Sequence, residues 1–293
     1  MKHEIHYERH GSSIMSFKIV VDSCCEIPEE LKKDERFESV PLTLIVGDDY
    51  EKQDDESFNQ REFLDAVAAC PECPKSACPS PERYMKAYQT QADHVYVVTL
   101  SSKLSGSYNS AVLGKNLYHE NYGEKDIYVV DSKSASCGET QIVCKLMELE
   151  EMGLSFQEIT EQIETFVNHM NTYFVLENLE TLRKNGRLSK VKALVASTLN
   201  IKPVMGAADG NIIQRGQCIG MQKALKKLAE LAISEVVDPE KKRLIITHCN
   251  NLKAAESVRK CIEDKIHLKE TIVMDTAGIS SMYANEGGVI VTI

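Results

Sequence analysis

The segment most suited to chemistry is a serine-rich stretch between a predicted strand and a predicted helix. Residues 95–100 form an unbroken run typical of a strand, and helical apolar spacing starts at about Tyr108. The residues between them include Ser101, Ser102, Ser105, Gly106 and Ser107. Loop hydroxyls and unpaired helix N–H groups converge beyond such a strand, where the helix dipole favours a negative group. The stretch therefore predicts a site for a small anion, although serines that only cap the helix give the same pattern.

Polar pairs follow three predicted strands at the same relative position. These pairs are residues 22–23, 101–102 and 131–132. Strands that alternate with helices imply right-handed crossovers and a mainly parallel sheet with helices on both faces. Ligands of such sheets bind beyond the carboxyl ends of the strands. We therefore expect the site at this edge.

The chain has 293 residues, which is enough for two ordinary domains. We predict an α/β fold in which residues 15–170 form an N-terminal domain around the mainly parallel sheet. Residues 171–293 are predicted to form a smaller α+β domain, with a ligand cleft between the two. Residues 1–14 show no strand pattern and are predicted to be a disordered leader.

The charge balance is 34 basic against 44 acidic residues, a net charge of −10. This balance argues against a protein held on nucleic acid or on an anionic membrane by bulk electrostatics. The sequence contains no apolar run of membrane-spanning length, and its N-terminus lacks the apolar core of a signal peptide. We therefore expect no nucleic-acid partner, no stable membrane insertion and a cytoplasmic location.

Ten cysteines are scattered along the chain, and three of them cluster in a Pro/Cys/Ser-rich segment, residues 70–81. Such a segment, placed before a helix that starts near Pro81, is a candidate binding loop. The spacing of Cys70 and Cys73 is typical of half a zinc site, but with Cys78 only three thiolates are present and the tetrahedron is incomplete. We predict reduced thiols and no metal, and leave the role of the three cysteines open.

Catalytic motifs are weak in this sequence. No G-x-S-x-G elbow, phosphate loop or dinucleotide fingerprint occurs in a strand–loop–helix context. His94 is placed in or before a strand, and His248 follows one, where a structural role is the commoner one. Serine hydroxyls and backbone amides can hold a carboxylate without ionising. Binding is therefore favoured over turnover, while a hydrolase using Ser105 or a phosphoryl-transfer enzyme remains the alternative.

Several short motifs occur in a specific order from about Phe17 to the C-terminus. They are residues 21–23, 40–42, 79–81, 100–108, 131–132, 182–189 and 200–204. In this combination the chain resembles the DegV family, bacterial lipid-binding proteins that include the binding subunits of fatty acid kinase. The resemblance implies a two-domain α/β protein that binds a long-chain fatty acid between its domains, without a cofactor and without catalysing a reaction itself.

The resemblance also implies which residues hold the fatty-acid carboxylate. The family's hydroxyl residue in the Pro-Ser loop falls on Ser76, and the serine of its Ser-Gly pair falls on Ser105. Ser102 and Gly106 are implied as neighbours that assist through a hydroxyl or a backbone N–H. A fatty acid kinase subunit is the partner that the family implies.

Two positions depart from the family pattern. A histidine that the family often has falls on Tyr283, and its usual arginine falls near Ile219. These changes put kinase-dependent acyl phosphorylation in question and leave a regulatory or scaffold protein with a vestigial lipid pocket as a further alternative. Tyr283, Arg187 and Ser101 are predicted to line the site or contact a partner, although Arg187 could also act only as a helix-end cap. Acyl chain length, unsaturation and oligomeric state are not encoded in any motif.

Overall fold

The computed structural model describes residues 17–189, 191 and 200–293. The leader predicted at residues 1–14 lies outside them. The strands are β1 (Phe17–Asp22), β2 (Phe37–Val40), β3 (Thr43–Val46), β4 (Tyr50–Gln53), β5 (Lys75–Ala77), β6 (His94–Thr99), β7 (Asp126–Asp131), β8 (Thr172–Val175), β9 (Ile201–Ala208), β10 (Asn211–Ile219), β11 (Arg243–His248), β12 (Glu270–Asp275) and β13 (Val289–Thr292). The helices are α1 (Gln60–Ala69), α2 (Pro81–Ala87), α3 (Ser107–Tyr122), α4 (Cys137–Glu151), α5 (Phe156–His169), α6 (Glu180–Lys184), α7 (Met221–Glu235), α8 (Leu252–Glu263) and α9 (Gly278–Ala284).

A four-stranded parallel sheet, in the order β2-β1-β6-β7, forms the centre of the N-terminal half. Alternate residues of β1 enter different cores, as the pleat of a strand requires. Ile19 and Val21 pack with α4 and α5, whereas Val20 packs with α2 and α3. The prediction of a parallel sheet with helices on both faces is confirmed.

A small antiparallel sheet, in the order β4-β3-β5, accompanies the parallel one. Its edge strand β5 lies inside the segment 70–81 that the sequence predicts to be a loop. Ser76 is there the register partner of Leu44 on β3. The Pro/Cys/Ser-rich composition does not indicate a strand here. The strand forms because it pairs with a distant segment, not because of local propensity.

The C-terminal half contains a six-stranded mixed sheet, in the order β10-β9-β8-β13-β11-β12. One face packs against α7 and α8, and Tyr173 and Val175 of β8 point into that core. Thr172 and Phe174 alternate with them and lie on the opposite face, which helps to form a cavity. We call this opposite face the cavity face.

The two halves contact each other through α4 and α9. The Gln141 side-chain amide on α4 donates to the carbonyls of Arg243 (2.6 Å) and Thr292 (3.2 Å). The carboxylate of Asp54 accepts from the N–H groups of Gly278 (2.8 Å) and Ile279 (2.9 Å), which ties the start of α9 to the N-terminal half. These contacts fix the position of the cavity between the carboxyl edge of the parallel sheet and the cavity face. Within the described residues, no helix has both the length and the apolar character needed to cross a membrane.

Candidate functional site

The cavity has a volume of about 830 Å³, a value that includes open solvent at its mouth. Both halves of the chain contribute to its walls. Much of the lining is aliphatic, with Leu100 and Leu104 from the serine loop and with Leu176, Ile212, Ile279 and Ile290 from the C-terminal half. Such a cavity suits an apolar ligand that carries a few polar groups.

Several side chains able to bind an anion line the cavity, and among them are Ser76, Ser105, Arg187 and Tyr283. They come from β5, the loop after β6, the segment after α6, and α9. The family resemblance implies that Ser76 and Ser105 hold one carboxylate, and Tyr283 and Arg187 are predicted to line the site or to contact a partner. Tertiary packing brings them to one cavity from positions more than 200 residues apart along the chain.

Ser105 is placed by the loop between β6 and α3. Its hydroxyl oxygen accepts the backbone N–H of Ser107 at 3.2 Å, and its own proton, which has no acceptor within the described residues, can donate to a ligand. Asp22, at the end of β1, fixes this loop because its carboxylate accepts from the Leu100 N–H (2.9 Å) and from the Ser107 hydroxyl (2.5 Å). Burial raises the pKa of Asp22, while those hydrogen bonds act in the opposite direction. The acid at the strand end therefore positions the site rather than contacting a ligand.

Arg187 is held by two backbone carbonyls. Its Nε donates to Leu104 at 3.0 Å, and its Nη1 donates to Asn185 at 2.5 Å. The guanidinium carbon lies 5.8 Å from the centre of the Tyr283 ring, within range of a cation–π interaction. Within the described part of the chain neither hydrogen bond uses Nη2, which can therefore donate to a ligand in the cavity.

Tyr283 occupies the position that the family pattern gives to histidine. Burial raises the pKa of its phenol, while nearby Arg187 and the neighbouring Ser76 hydroxyl act in the opposite direction. A raised pKa keeps the phenol protonated at neutral pH, so Tyr283 can donate a hydrogen bond to an anion. Ile219, the other departure from the pattern, lies exposed at the end of β10 and outside the cavity lining.

The other predicted site residues have different partners in the structure. The hydroxyl and the N–H of Ser102 both donate to Asp131, the latter at 3.0 Å. The hydroxyl of Ser101 donates to the carbonyl of Gly210 at 2.8 Å, which attaches the β9–β10 hairpin to the serine loop. Neither serine lines the cavity, and Gly106 is not part of the lining either. Their role in carboxylate binding stays a prediction.

The sequence does not predict a second polar region in the cavity wall, formed by Ser134, Ser136 and Thr172. Thr172, Phe174 and Leu176 share one side of β8 and its extension, and all three line the cavity. The signal for Thr172 is therefore the alternation along residues 172–176. It is hard to detect because this strand is apolar on both faces.

Buried acids lie behind this wall. Ser136 donates to Glu26 at 2.6 Å, and burial raises the pKa of Glu26 to about 7. Burial likewise raises the pKa of Asp54 to about 6. Both carboxyl oxygens of Glu139 are buried without a hydrogen-bond partner among the described residues. Its pKa is raised well above the usual value by burial and then by the neighbouring Asp22.

A hydrolase that uses Ser105 would need a general base beside it. Neither His94 nor His248, the two histidines considered from the sequence, has Ser105 as a hydrogen-bond partner in the described part of the chain. His94 begins β6 whereas Ser105 follows its end, so they are separated by the length of the strand, about 20 Å. The ring of His94 instead bonds Glu150 at 2.8 Å. His248 accepts the N–H of Asn251 at 3.2 Å at the end of β11.

The clustered cysteines occupy separate places in the fold. All ten cysteines are free thiols. Cys73 contacts the carbonyl of Pro74 at 3.6 Å, and Cys78 lies 3.9 Å from the hydroxyl of Ser110. Within the described part of the chain, no group of three or more His, Cys, Asp or Glu side chains is arranged to hold a metal ion.

Comparison with known proteins places this geometry in a family. The family model described as "Uncharacterised protein, DegV family" matches residues 16–292. A DegV domain-containing protein of Streptococcus pneumoniae is 35% identical over 282 residues, covering 94% of this chain and 98% of that protein.

Two solved structures are similar over almost the whole chain. A DegV family protein from Ruminococcus gnavus, refined with vaccenic acid, has a TM-score of 0.93 and 48% identity, covering 95% of this chain and 100% of that chain. The fatty acid kinase B3 protein of Streptococcus pneumoniae, loaded with linoleic acid, has a TM-score of 0.81 and 34% identity, covering 95% and 99%. The chain belongs to the DegV family.

Proposed function

We propose that this protein binds a long-chain fatty acid in the cavity, with the carboxylate held by Ser76 and Ser105. Arg187 supplies the positive charge and Tyr283 a further hydrogen-bond donor. The observation that carries the proposal is the meeting of these four side chains in one largely aliphatic cavity. The fatty acids in the similar structures from Ruminococcus gnavus and Streptococcus pneumoniae support it.

The two parts of the cavity match the two parts of such a ligand. Hydrogen bonds to a charged group contribute about 1.5–3 kcal/mol each, more than bonds between neutral groups. Each buried methylene of the chain contributes about 0.8 kcal/mol. A carboxylate with a long alkyl chain uses both terms, whereas a short acid uses only the first. We therefore expect affinity to rise with chain length until the aliphatic wall is filled.

Binding of a fatty acid does not require that this chain catalyse a reaction. We propose that it acts as a cytoplasmic carrier of two domains, residues 15–170 and 171–293, with the acid between them. Its free thiols suit a reducing compartment. A further proposal is that it presents the carboxylate to a fatty acid kinase, for which the similarity to the Streptococcus pneumoniae B3 protein is the support.

Native mass spectrometry of the protein purified from bacteria tests the binding proposal. We expect a bound mass equal to a long-chain fatty acid, and the same acid after solvent extraction. Delipidated protein should then bind added fatty acids in a one-to-one complex. Failure to find a co-purified acid, together with no binding of added acids, contradicts the proposal. The kinase proposal is tested separately, by transfer of labelled phosphate from ATP to the bound acid when a fatty acid kinase is added.

A further inference from the structure

The second polar region of the cavity contains a hydroxyl pair that we call the buried hydroxyl pair, Ser134 and Thr172. The two oxygens lie 2.8 Å apart, and both residues are buried. Ser134 belongs to the loop after β7 and Thr172 begins β8, so the pair joins the two halves of the chain across the cavity wall.

The hydrogen-bond count of this pair is incomplete. Two hydroxyls carry two protons, and their mutual hydrogen bond uses one of them. The second proton has no acceptor in the part of the chain that the structure describes, other than the partner hydroxyl. The neighbouring Ser136 differs, because it donates to Glu26 at 2.6 Å and also pairs with Thr247 at 2.8 Å. Among Ser134, Ser136 and Thr172, the buried hydroxyl pair is therefore the group with a hydroxyl proton still available to a ligand.

The position of the pair is fixed by its surroundings. The backbone of Ser134 accepts from the Ser101 N–H at 2.9 Å and from the Ser132 hydroxyl at 3.1 Å. Thr172 is β-branched, which restricts its side-chain rotation, and its backbone is in register with Thr292 of β13. A group with so little freedom binds a ligand without much further loss of entropy.

Along β8, the pair is separated from the end of the cavity that holds Tyr283 and Arg187. Leu176 packs in the same cluster as Tyr283, next to Arg187, whereas Thr172 is four residues earlier on the same face of β8. Four strand residues span about 13 Å. A ligand whose carboxylate reaches Ser105 and Arg187 would therefore place part of its alkyl chain, not its head group, beside the hydroxyl pair.

We propose that the cavity accepts long-chain fatty acids with a hydroxyl group along the chain, and that Ser134 and Thr172 bind this hydroxyl. A chain hydroxyl accepts the spare proton of the pair and donates its own proton to a lone pair of either oxygen. Without such a partner, burial of a hydroxyl in an aliphatic cavity weakens binding by about tenfold or more. This proposal deepens the proposed function and rests on it.

The test compares stearic acid with a set of monohydroxystearic acids whose hydroxyl moves stepwise from the carboxyl end to the methyl end. Delipidated protein is titrated by displacement of a fluorescent fatty acid. We expect at least one mid-chain hydroxy acid to bind as tightly as stearic acid or more tightly. In Thr172→Val that acid should bind about tenfold more weakly, while the affinity for stearic acid should change by less than about twofold.

A matched control comes from the neighbouring strand. Thr292 is the register partner of Thr172, but its hydroxyl donates to the Cys137 carbonyl at 3.3 Å and it lies outside the cavity lining. Thr292→Val should leave the ratio of the two affinities unchanged. Ser134→Ala repeats the test if Thr172→Val does not fold, as judged by its thermal melt.

The outcomes separate the two proposals. The hydroxyl proposal is overturned if every hydroxy acid binds at least tenfold more weakly than stearic acid to the natural protein. It is also overturned if Thr172→Val and Ser134→Ala weaken both ligands equally. The proposed function fails as well only if neither stearic acid nor any of the hydroxy acids binds.

Discussion

Replacement of Ser105 by alanine removes one of the two hydroxyls proposed to hold the carboxylate, while the aliphatic wall stays intact. The Ser105 oxygen accepts from the Ser107 N–H, and no residue in the described ranges accepts the Ser105 proton, which can therefore bond the ligand. A hydrogen bond to a charged group contributes about 1.5–3 kcal/mol, which corresponds to a loss of affinity of about tenfold to a hundredfold. Loss of the bond from Ser107 also lowers the free energy of unfolding by about 1 kcal/mol, the usual net contribution of one hydrogen bond.

The assay is displacement of a fluorescent fatty acid from delipidated protein, with thermal unfolding measured in parallel. Ser102→Ala is the matched control, because it is the same substitution in the same loop and its hydroxyl is already bonded to Asp131. We expect Ser102→Ala to keep fatty-acid affinity within about twofold of that of the natural protein. The reasoning is refuted if Ser105→Ala also stays within that range, or if the control loses as much affinity.

Three further predictions concern charge, the hairpin and pH. Arg187→Met should weaken binding of a fatty acid by about tenfold or more but leave binding of the fatty alcohol of equal length within about twofold, since only the acid has a charge to pair; equal losses in calorimetric titration would contradict this role. Gly210→Ala should lower the melting temperature more than Gly153→Ala, because both glycines have positive φ but only at Gly210 would a Cβ meet the Ser101 hydroxyl, at 2.7 Å. The pKa of Glu26 is raised from 4.5 to about 7, so the folded state binds this proton more tightly than the unfolded state does. Protonated Glu26 therefore stabilises the protein fully below pH 4.5, and this contribution is lost as pH rises towards 7. The natural protein should therefore lose melting temperature across this window, and Glu26→Gln should lose less; parallel curves would show that another group titrates.

The sequence alone predicts much of the fold and part of the site. The apolar strand at residues 95–100 and the serine loop after it predict a strand–loop–helix unit, because local propensity and turn chemistry agree there. The parallel sheet follows from the alternation of strands and helices, since crossover connections have a fixed hand. Ser76, Ser105, Arg187 and Tyr283 could be named in advance because motif order, in addition to local chemistry, identified the family.

Only the tertiary structure shows which of these residues meet. Ser102 has the same chemistry as Ser105 and lies three positions earlier, yet its hydroxyl bonds Asp131 and does not line the cavity. The sequence does not predict β5, because this strand forms only by pairing with the distant strand β3. Thr172 was not predicted because both faces of β8 are covered and largely apolar, so hydrophobicity does not distinguish the side that lines the cavity.

The sequence by itself determined most of the elements, their order and the polar edge of the parallel sheet, since these depend on interactions between near neighbours along the chain. The tertiary structure decided how the serine loop, β5, the segment after α6 and α9 converge on one cavity. It also decided that a hydroxyl pair lies deep in the wall. These features depend on packing between residues far apart in sequence, where one serine donates to a neighbouring acid and another is left free for a ligand.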